Sequence, residues 1–115
     1  MSLEINHRSR DGIALVDLSG KITLGQGSIQ LRDVVAELLA EGKVQIVLNL
    51  AAVQYVDSSG IGELISRRMT THHAGGRLIL LQLPQKIQDL LRLTKLLSLF
   101  EVYDDEETAL ASFHP

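Results

Sequence analysis

The hydrophobic positions of the chain form two kinds of pattern that alternate along the sequence. Nearly continuous apolar runs over residues 44–50 and 77–83 predict strands that are buried on both faces of a sheet. In other segments, such as residues 31–39, apolar side chains recur at intervals of three and four residues, which predicts amphipathic helices. The chain therefore reads as strands that alternate with helices.

Turn and cap residues divide these runs into elements. Asp11-Gly12 has the composition of a two-residue hairpin turn and separates two N-terminal strands. Ser28 is expected to cap the first helix, and Gly42 is expected to end it. A last short strand is predicted over residues 99–102, before a final helix with an acidic start. The predicted order is β-β-α-β-α-β-α-β-α.

This order predicts an α/β fold. We expect a mostly parallel central sheet of about four or five strands, with an N-terminal strand pair and about four helices. The length of 115 residues fits one domain, so residues 1–115 are expected to form a single domain. Apolar runs such as residues 78–81 are far shorter than the ~20 residues of a membrane span, so membrane insertion is not expected.

Composition excludes several classes of function. The chain has no cysteine, which rules out disulfides, thiolate metal sites and cysteine nucleophiles. Its net charge of −3 argues against direct nucleic-acid binding, which usually needs a strongly basic domain. His72 and His73 are adjacent on a predicted helix and point in different directions, so they are poorly placed to share a metal. We expect neither a metal nor a cofactor.

One turn between a central strand and a helix carries the candidate chemistry. Functional sites of open α/β sheets usually lie beyond the carboxyl ends of the strands, where this turn is placed. Asp57 and Ser58 are both good helix N-cap residues. Gly60 and Gly62 each cost about 1 kcal/mol relative to alanine in a helix, which suggests that something approaches this backbone closely.

The residues alone leave a simpler interpretation of this turn open, namely a capped helix with small packing residues. A serine hydrolase is not expected, because neither Ser58 nor Ser59 lies in a Gly-x-Ser-x-Gly elbow. A phosphate-binding loop is not expected either, because Gly20-Lys21 is not followed by a hydroxyl residue. A phospho-accepting receiver domain with Asp57 as acceptor would need an acidic pair after its first strand, and none is present there.

The same turn and its surroundings resemble the STAS domain family, the bacterial anti-sigma factor antagonists. The resemblance covers nearly the whole chain, and its most specific part is Tyr55-Val56-Asp57-Ser58-Ser59-Gly60-Ile61-Gly62. It also includes residues 16–20, 31–39, 44–50 and the closing helix–strand–helix pattern of residues 93–110. The α/β order predicted from periodicity agrees with the fold of that family.

The resemblance implies a regulatory, non-enzymatic protein of bacterial signal transduction and transcription regulation. In this family a partner serine kinase, which is also the anti-sigma factor, phosphorylates the serine that follows the Asp of the motif, here Ser58. The unphosphorylated protein binds the kinase and frees the sigma factor, and a serine phosphatase resets this partner switching. The kinase supplies ATP, so the phosphoprotein needs no cofactor. We expect a cytoplasmic protein that is a monomer or a weak dimer.

The resemblance also implies which residues meet the partner. Ser58 is expected to present its hydroxyl to solvent. Family members that are kinase substrates often carry an Asp at the position of Thr23, which offers a hydroxyl but no charge. The residues expected to shape the docking surface are Asp57, Ser59, Gly60, Gly62 and Thr23.

Two other functions stay open at the level of the sequence. The domain is alternatively an unphosphorylated scaffold subunit of a signalling assembly or a lipid-transport complex, which the absent Asp favours slightly. A small-molecule enzyme is the weakest interpretation, because no acid–base pair converges on the turn.

Overall fold

A computed structural model describes residues 3–114 of the chain. The elements are, in chain order, strands and helices β1 (Leu3–Arg10), β2 (Ile13–Ile22), α1 (Gln26–Ala40), β3 (Gln45–Val56), α2 (Ser58–His73), β4 (Arg77–Leu81), α3 (Gln85–Leu93), β5 (Val102–Tyr103) and α4 (Glu106–Ala111). Across these residues, none of the helices combines the length and the apolar character that a membrane span requires.

The strands form one five-stranded sheet in the order β1-β2-β3-β4-β5. β1 is antiparallel to β2, and the remaining neighbours are parallel. Asp11 and Gly12 connect β1 to β2 with φ values of 54° and 79°, the left-handed conformation that a type I′ turn requires. The predicted α/β class, element order and N-terminal strand pair are therefore confirmed.

The last strand is shorter than predicted and begins later. Residues 97–99 form a single 3-10 turn, and Phe100 packs into the core with only 7% of its surface exposed. β5 pairs with β4 only through Val102 and Tyr103. The prediction of a strand over residues 99–102 was wrong at its start. Apolar residues that pack into the core, such as Phe100, occur beside turns as well as in strands, so their pattern did not distinguish the two.

Helices cover both faces of the sheet. The larger apolar cluster lies against α1, α2 and α3, and β2 and β3 contribute side chains to it along their length. The smaller cluster lies beneath α4 and consists of Ile13, Leu15, Val47, Ile79, Leu81, Ala109 and Leu110. The continuous apolar runs of the central strands are explained by this burial on both sides.

Helix α1 begins earlier than its sequence suggested. Gly25, at φ 96°, is the N-cap, and the buried hydroxyl of Ser28 donates to the carbonyl of Thr23 at 2.9 Å. The prediction that Ser28 caps the helix is therefore wrong. The predicted end is confirmed, because Gly42 has φ 78° and donates to the carbonyl of Leu39, as in a Schellman motif.

Strand β3 extends well beyond the apolar run that predicted it. It continues through Val56, while its pairing with β4 stops at Asn49. The extra length is held by β2, whose last residue, Ile22, pairs with Val56. The carboxyl ends of β2 and β3 therefore lie side by side at one edge of the sheet.

A group of ion pairs fastens α4 to the β1–β2 hairpin. Arg8 lies between Asp17 at 2.9 Å and Glu106 at 2.7 Å, and Arg10 contacts Glu106 at 2.6 Å. Hydrogen bonding from Arg8, followed by that from Arg10, lowers the pKa of Glu106 to about 2.

Candidate functional site

The candidate site is built where β2 and β3 end together. Because Ile22 and Val56 are paired, the next residues along the two strands, Thr23 and Asp57, lie at the same edge. The backbone N–H of Asp57 donates to the carbonyl of Ile22 at 3.3 Å, which joins the start of α2 to the end of β2. Two segments that are more than thirty residues apart in sequence thus form one surface.

Asp57 connects three elements through a single carboxylate. Its Oδ1 accepts the backbone N–H of Gly60 at 2.8 Å, which caps α2, as the sequence predicted. Its Oδ2 accepts the backbone N–H of Leu24 at 3.0 Å, in the loop between β2 and α1. The N–H of Leu24, followed by that of Gly60, lowers the pKa of the Asp57 carboxyl, so it is a carboxylate at neutral pH.

Ser58 is the first residue of α2, and its side chain is exposed, as predicted. Within residues 3–114, no hydrogen bond holds the Ser58 hydroxyl in place, so it is available to a reagent or a partner. Ser59 is half-buried beside it. The first turn of a helix carries unpaired N–H groups and the positive end of the helix dipole, which favour negative charge at Ser58.

The two glycines of α2 have different surroundings. Gly60 is buried, and a Cβ added there would overlap the carbonyl oxygen of Ile22 and lie 2.8 Å from Cγ1 of Val56. The close approach that the sequence suggested is thus made at Gly60 by the end of β2 in the same chain. A Cβ added at Gly62 would meet nothing within 4 Å, because Gly62 faces an open cleft.

The loop between β2 and α1 turns one residue inward and the next one outward. Thr23 is half-buried, and its carbonyl oxygen accepts both the N–H and the hydroxyl of Ser28, at 3.1 and 2.9 Å. Leu24 follows with 78% of its surface exposed. Sequence reasoning missed Leu24, although a lone large apolar residue in the otherwise polar and glycine-containing segment 23–27 is a signal that was present.

A cleft of about 460 Å³ lies along α1 and α2, and its lining includes Ser59, the residue that follows Ser58. Its floor includes Glu63, which lies 2.9 Å from Arg67 on its own helix and 3.4 Å from Arg32 on α1. The full lining is Leu24, Gly25, Ser28, Ile29, Arg32, Ser59, Gly62, Glu63 and Ser66. The cleft is wide and open, which suits contact with another macromolecule better than enclosure of a small molecule.

The chemistry that this arrangement supports is modification and docking. Of the predicted site residues, Thr23, Asp57 and Ser58 lie where β2 and β3 end. Ser59 and Gly62 line the cleft, and Gly60 is buried against the end of β2. In the part of the chain that the structure describes, no cluster of three histidine or acidic side chains is arranged to hold a metal. The hydroxyl of Ser58 is instead a group on which another protein can act.

The strand order and the Asp-capped helix at the joined ends of two parallel strands define a single α/β domain with one antiparallel edge strand. The STAS domain model matches residues 4–109, so the chain belongs to the STAS domain family. A protein of Paenibacillus polymyxa named anti-sigma F factor antagonist is 28% identical over 113 residues, which cover 96% of this chain and 94% of that protein.

Solved structures share the fold. An anti-sigma factor antagonist from Mycobacterium paratuberculosis aligns with a TM-score of 0.84 at 20% identity, over 98% of this chain and 95% of its own. The anti-sigma factor antagonist SpoIIAA in its unphosphorylated form aligns with a TM-score of 0.72 at 18% identity, over 96% of both chains. SpoIIAA in its phosphorylated form aligns with a TM-score of 0.74 at 19% identity, over 96% of this chain and 100% of its own.

Proposed function

We propose that this chain is an anti-sigma factor antagonist that is switched by phosphorylation of Ser58. The unphosphorylated form binds an anti-sigma serine kinase and so frees the sigma factor, and a serine phosphatase reverses the modification. The observation that carries the proposal is the exposed Ser58 at the start of α2, beside an open cleft. The name of the Paenibacillus polymyxa relative supports the same function.

The start of α2 can accept a phosphate without unfolding. A phosphate adds about −1.5 to −2 charges and three acceptor oxygens. The unpaired N–H groups and the positive dipole end of α2 stabilise such a group. The contacts that hold α2 in place, including the Asp57 carboxylate and the Gly60 backbone, do not involve the Ser58 side chain. We therefore expect the fold to be preserved on phosphorylation.

The effect of the phosphate falls on the interface with the kinase. A partner that covers Ser58 would bury the new charge next to the Asp57 carboxylate, which already carries one negative charge. An uncompensated charge buried at an interface costs roughly 2–5 kcal/mol. At 1.4 kcal/mol per tenfold, this weakens binding by about 30- to 3000-fold, which is enough to release the partner.

The test combines phosphotransfer with binding. The purified chain is incubated with ATP and with each anti-sigma serine kinase that its source genome encodes, and its intact mass is measured. We expect one kinase to add a single phosphate to the wild type and to Ser59→Ala but none to Ser58→Ala. The same kinase should bind the unphosphorylated chain at least about 30-fold more tightly than the phosphorylated chain.

Two results would overturn the proposal. One is that no kinase of the panel modifies or binds the chain; stable assembly of the unmodified chain with other proteins would then favour a scaffold subunit. The other is that modification still occurs in Ser58→Ala.

A further inference from the structure

Leu24 combines an exposed apolar side chain with a backbone that is held firmly in place. We propose that Leu24 is the apolar anchor with which this chain docks into a pocket on its kinase partner, and that Asp57 is the positioning residue that holds Leu24 outward. The inference rests on the proposed function and deepens it, because it specifies what the partner's surface must offer. That surface is an apolar pocket wide enough for a leucine side chain, at the edge of the area that covers Ser58.

Exposure by itself would not single out Leu24. Isolated apolar side chains are common on protein surfaces, and Leu93 on α3 is exposed to 82%. Leu24, however, lies in the lining of the cleft beside Ser58, together with Ile29, which is 48% exposed. Leu24 and Ile29 thus form an apolar strip along the α1 side of the cleft. A partner pocket that buries an exposed leucine side chain removes its apolar surface from water, which stabilises the complex.

Hydrogen bonds fix the loop that carries Leu24. Its own N–H is bound by Oδ2 of Asp57 at 3.0 Å. On either side of it, the carbonyl of Thr23 accepts the N–H of Ser28 at 3.1 Å, and the carbonyl of Gly25 accepts the N–H of Ile29 at 3.0 Å. A side chain whose backbone is already ordered loses less conformational entropy on binding, so it contributes more to affinity.

The hydrogen bond to Leu24 also ties the anchor to the switch. The carboxylate that binds the N–H of Leu24 belongs to the residue directly before Ser58. Because the Leu24 backbone and the start of α2 share this carboxylate, a partner that seats Leu24 must also approach Ser58. A phosphate on Ser58 would therefore place its negative charge inside the interface that Leu24 anchors. The partner that fits this geometry is the protein that reacts with Ser58.

The first test truncates the anchor and a matched control. Leu24→Ala keeps the backbone N–H that Asp57 binds, and Leu93→Ala removes an equally exposed leucine from α3. The dissociation constant of each variant is measured by titration calorimetry with the purified kinase that modifies Ser58. We expect Leu24→Ala to weaken binding about tenfold or more and Leu93→Ala to change it less than twofold. Binding of Leu24→Ala within twofold of the wild type would overturn the inference.

The second test asks whether Asp57 acts through Leu24. Asp57→Asn keeps one carbonyl oxygen for capping Gly60, but its amide group cannot accept the N–H of Leu24 at the same time. Hydrogen exchange of the Leu24 amide should accelerate at least tenfold, and kinase binding should weaken severalfold. In the Leu24→Ala background, Asp57→Asn should add less than a twofold loss. Fully additive losses would show that Asp57 does not act by positioning Leu24.

The outcomes separate the inference from the proposed function. If no kinase binds the wild type, the proposed function fails, and the inference fails with it. If the kinase binds and phosphorylates the wild type and Leu24→Ala equally well, only the inference fails. Sedimentation of the wild type and of Leu24→Ala tests whether a second copy of this chain covers the apolar strip instead. If Leu24→Ala abolishes self-association but leaves kinase binding unchanged, the strip is an interface between copies of this chain. The inference is then wrong.

Discussion

Replacement of Gly60 by alanine would place a methyl group where the carbonyl of Ile22 already lies. The added Cβ would overlap the carbonyl oxygen and lie 2.9 Å from the carbonyl carbon and 2.8 Å from Cγ1 of Val56. Neither neighbour can move freely, because Ile22 and Val56 are paired in the sheet and are 0% and 3% exposed. Helix α2 must therefore shift away from the end of β2.

The cost of this shift follows from the contacts that it disturbs. Overpacking of a well-packed core costs about 1–3 kcal/mol. A shifted α2 also weakens the hydrogen bonds of Asp57 to Ile22 and Leu24, which contribute about 1 kcal/mol each. Better helix propensity of alanine returns up to about 1 kcal/mol. We expect Gly60→Ala to lower the free energy of unfolding by about 2–4 kcal/mol if both hydrogen bonds are lost.

Gly62→Ala is the matched control, since it makes the same substitution two positions away in the same helix. No atom lies within 4 Å of the added Cβ, and neither glycine has a positive φ. The helix propensity gain is then unopposed, and Gly62→Ala should raise the free energy of unfolding by up to about 1 kcal/mol.

Urea unfolding followed by far-UV circular dichroism measures both effects, since the chain has no tryptophan for fluorescence. With a urea dependence of about 1.5 kcal/mol per molar, the midpoint should fall by about 1–3 M for Gly60→Ala and rise slightly for Gly62→Ala. If the two variants unfold at the same urea concentration, Gly60 is not selected by the contact with Ile22, and the reasoning is refuted.

Three further predictions concern stability. Because the pKa of Glu106 is lowered to about 2 in the folded chain, mainly by Arg8, its ionisation stabilises the fold above pH 4.5, and this stabilisation is lost as the pH falls towards 2. Glu106→Gln should therefore cost about 1 kcal/mol at pH 6 and much less at pH 2, as measured by urea midpoints at the two pH values. Lys95 follows the end of α3 and has φ 63°, a left-handed conformation that glycine adopts without steric cost. Lys95→Gly should therefore relieve about 1 kcal/mol of backbone strain and raise the melting temperature in a calorimetric scan. A lower melting temperature would contradict this. Ser28→Ala removes the buried hydroxyl that donates to Thr23 and should cost about 1 kcal/mol in urea unfolding, whereas no change would show that this bond contributes nothing.

Local patterns in the sequence determined the class of fold and the identity of the capped turn. Periodicity gave the order of strands and helices, because side-chain spacing reflects burial within one element. Asp11-Gly12, Gly42 and Asp57 were assigned correctly, since each acts through backbone geometry or hydrogen bonds within a few residues of itself. The position of Ser58 at the start of α2 follows from the same local chemistry, whereas its exposure was expected from the family resemblance.

Contacts between distant segments decided the rest. Strand β3 runs to Val56 because β2 lies beside it, whereas the apolar run that predicted the strand stops at residue 50. Gly60 is required by a carbonyl of β2, and the second oxygen of Asp57 binds Leu24, 33 positions earlier in the chain. These interactions depend on which segments the folded sheet brings together, so only the tertiary structure places Leu24 beside Asp57. Sequence spacing reports what neighbouring residues do, whereas the proposed docking surface is made by residues that become neighbours on folding.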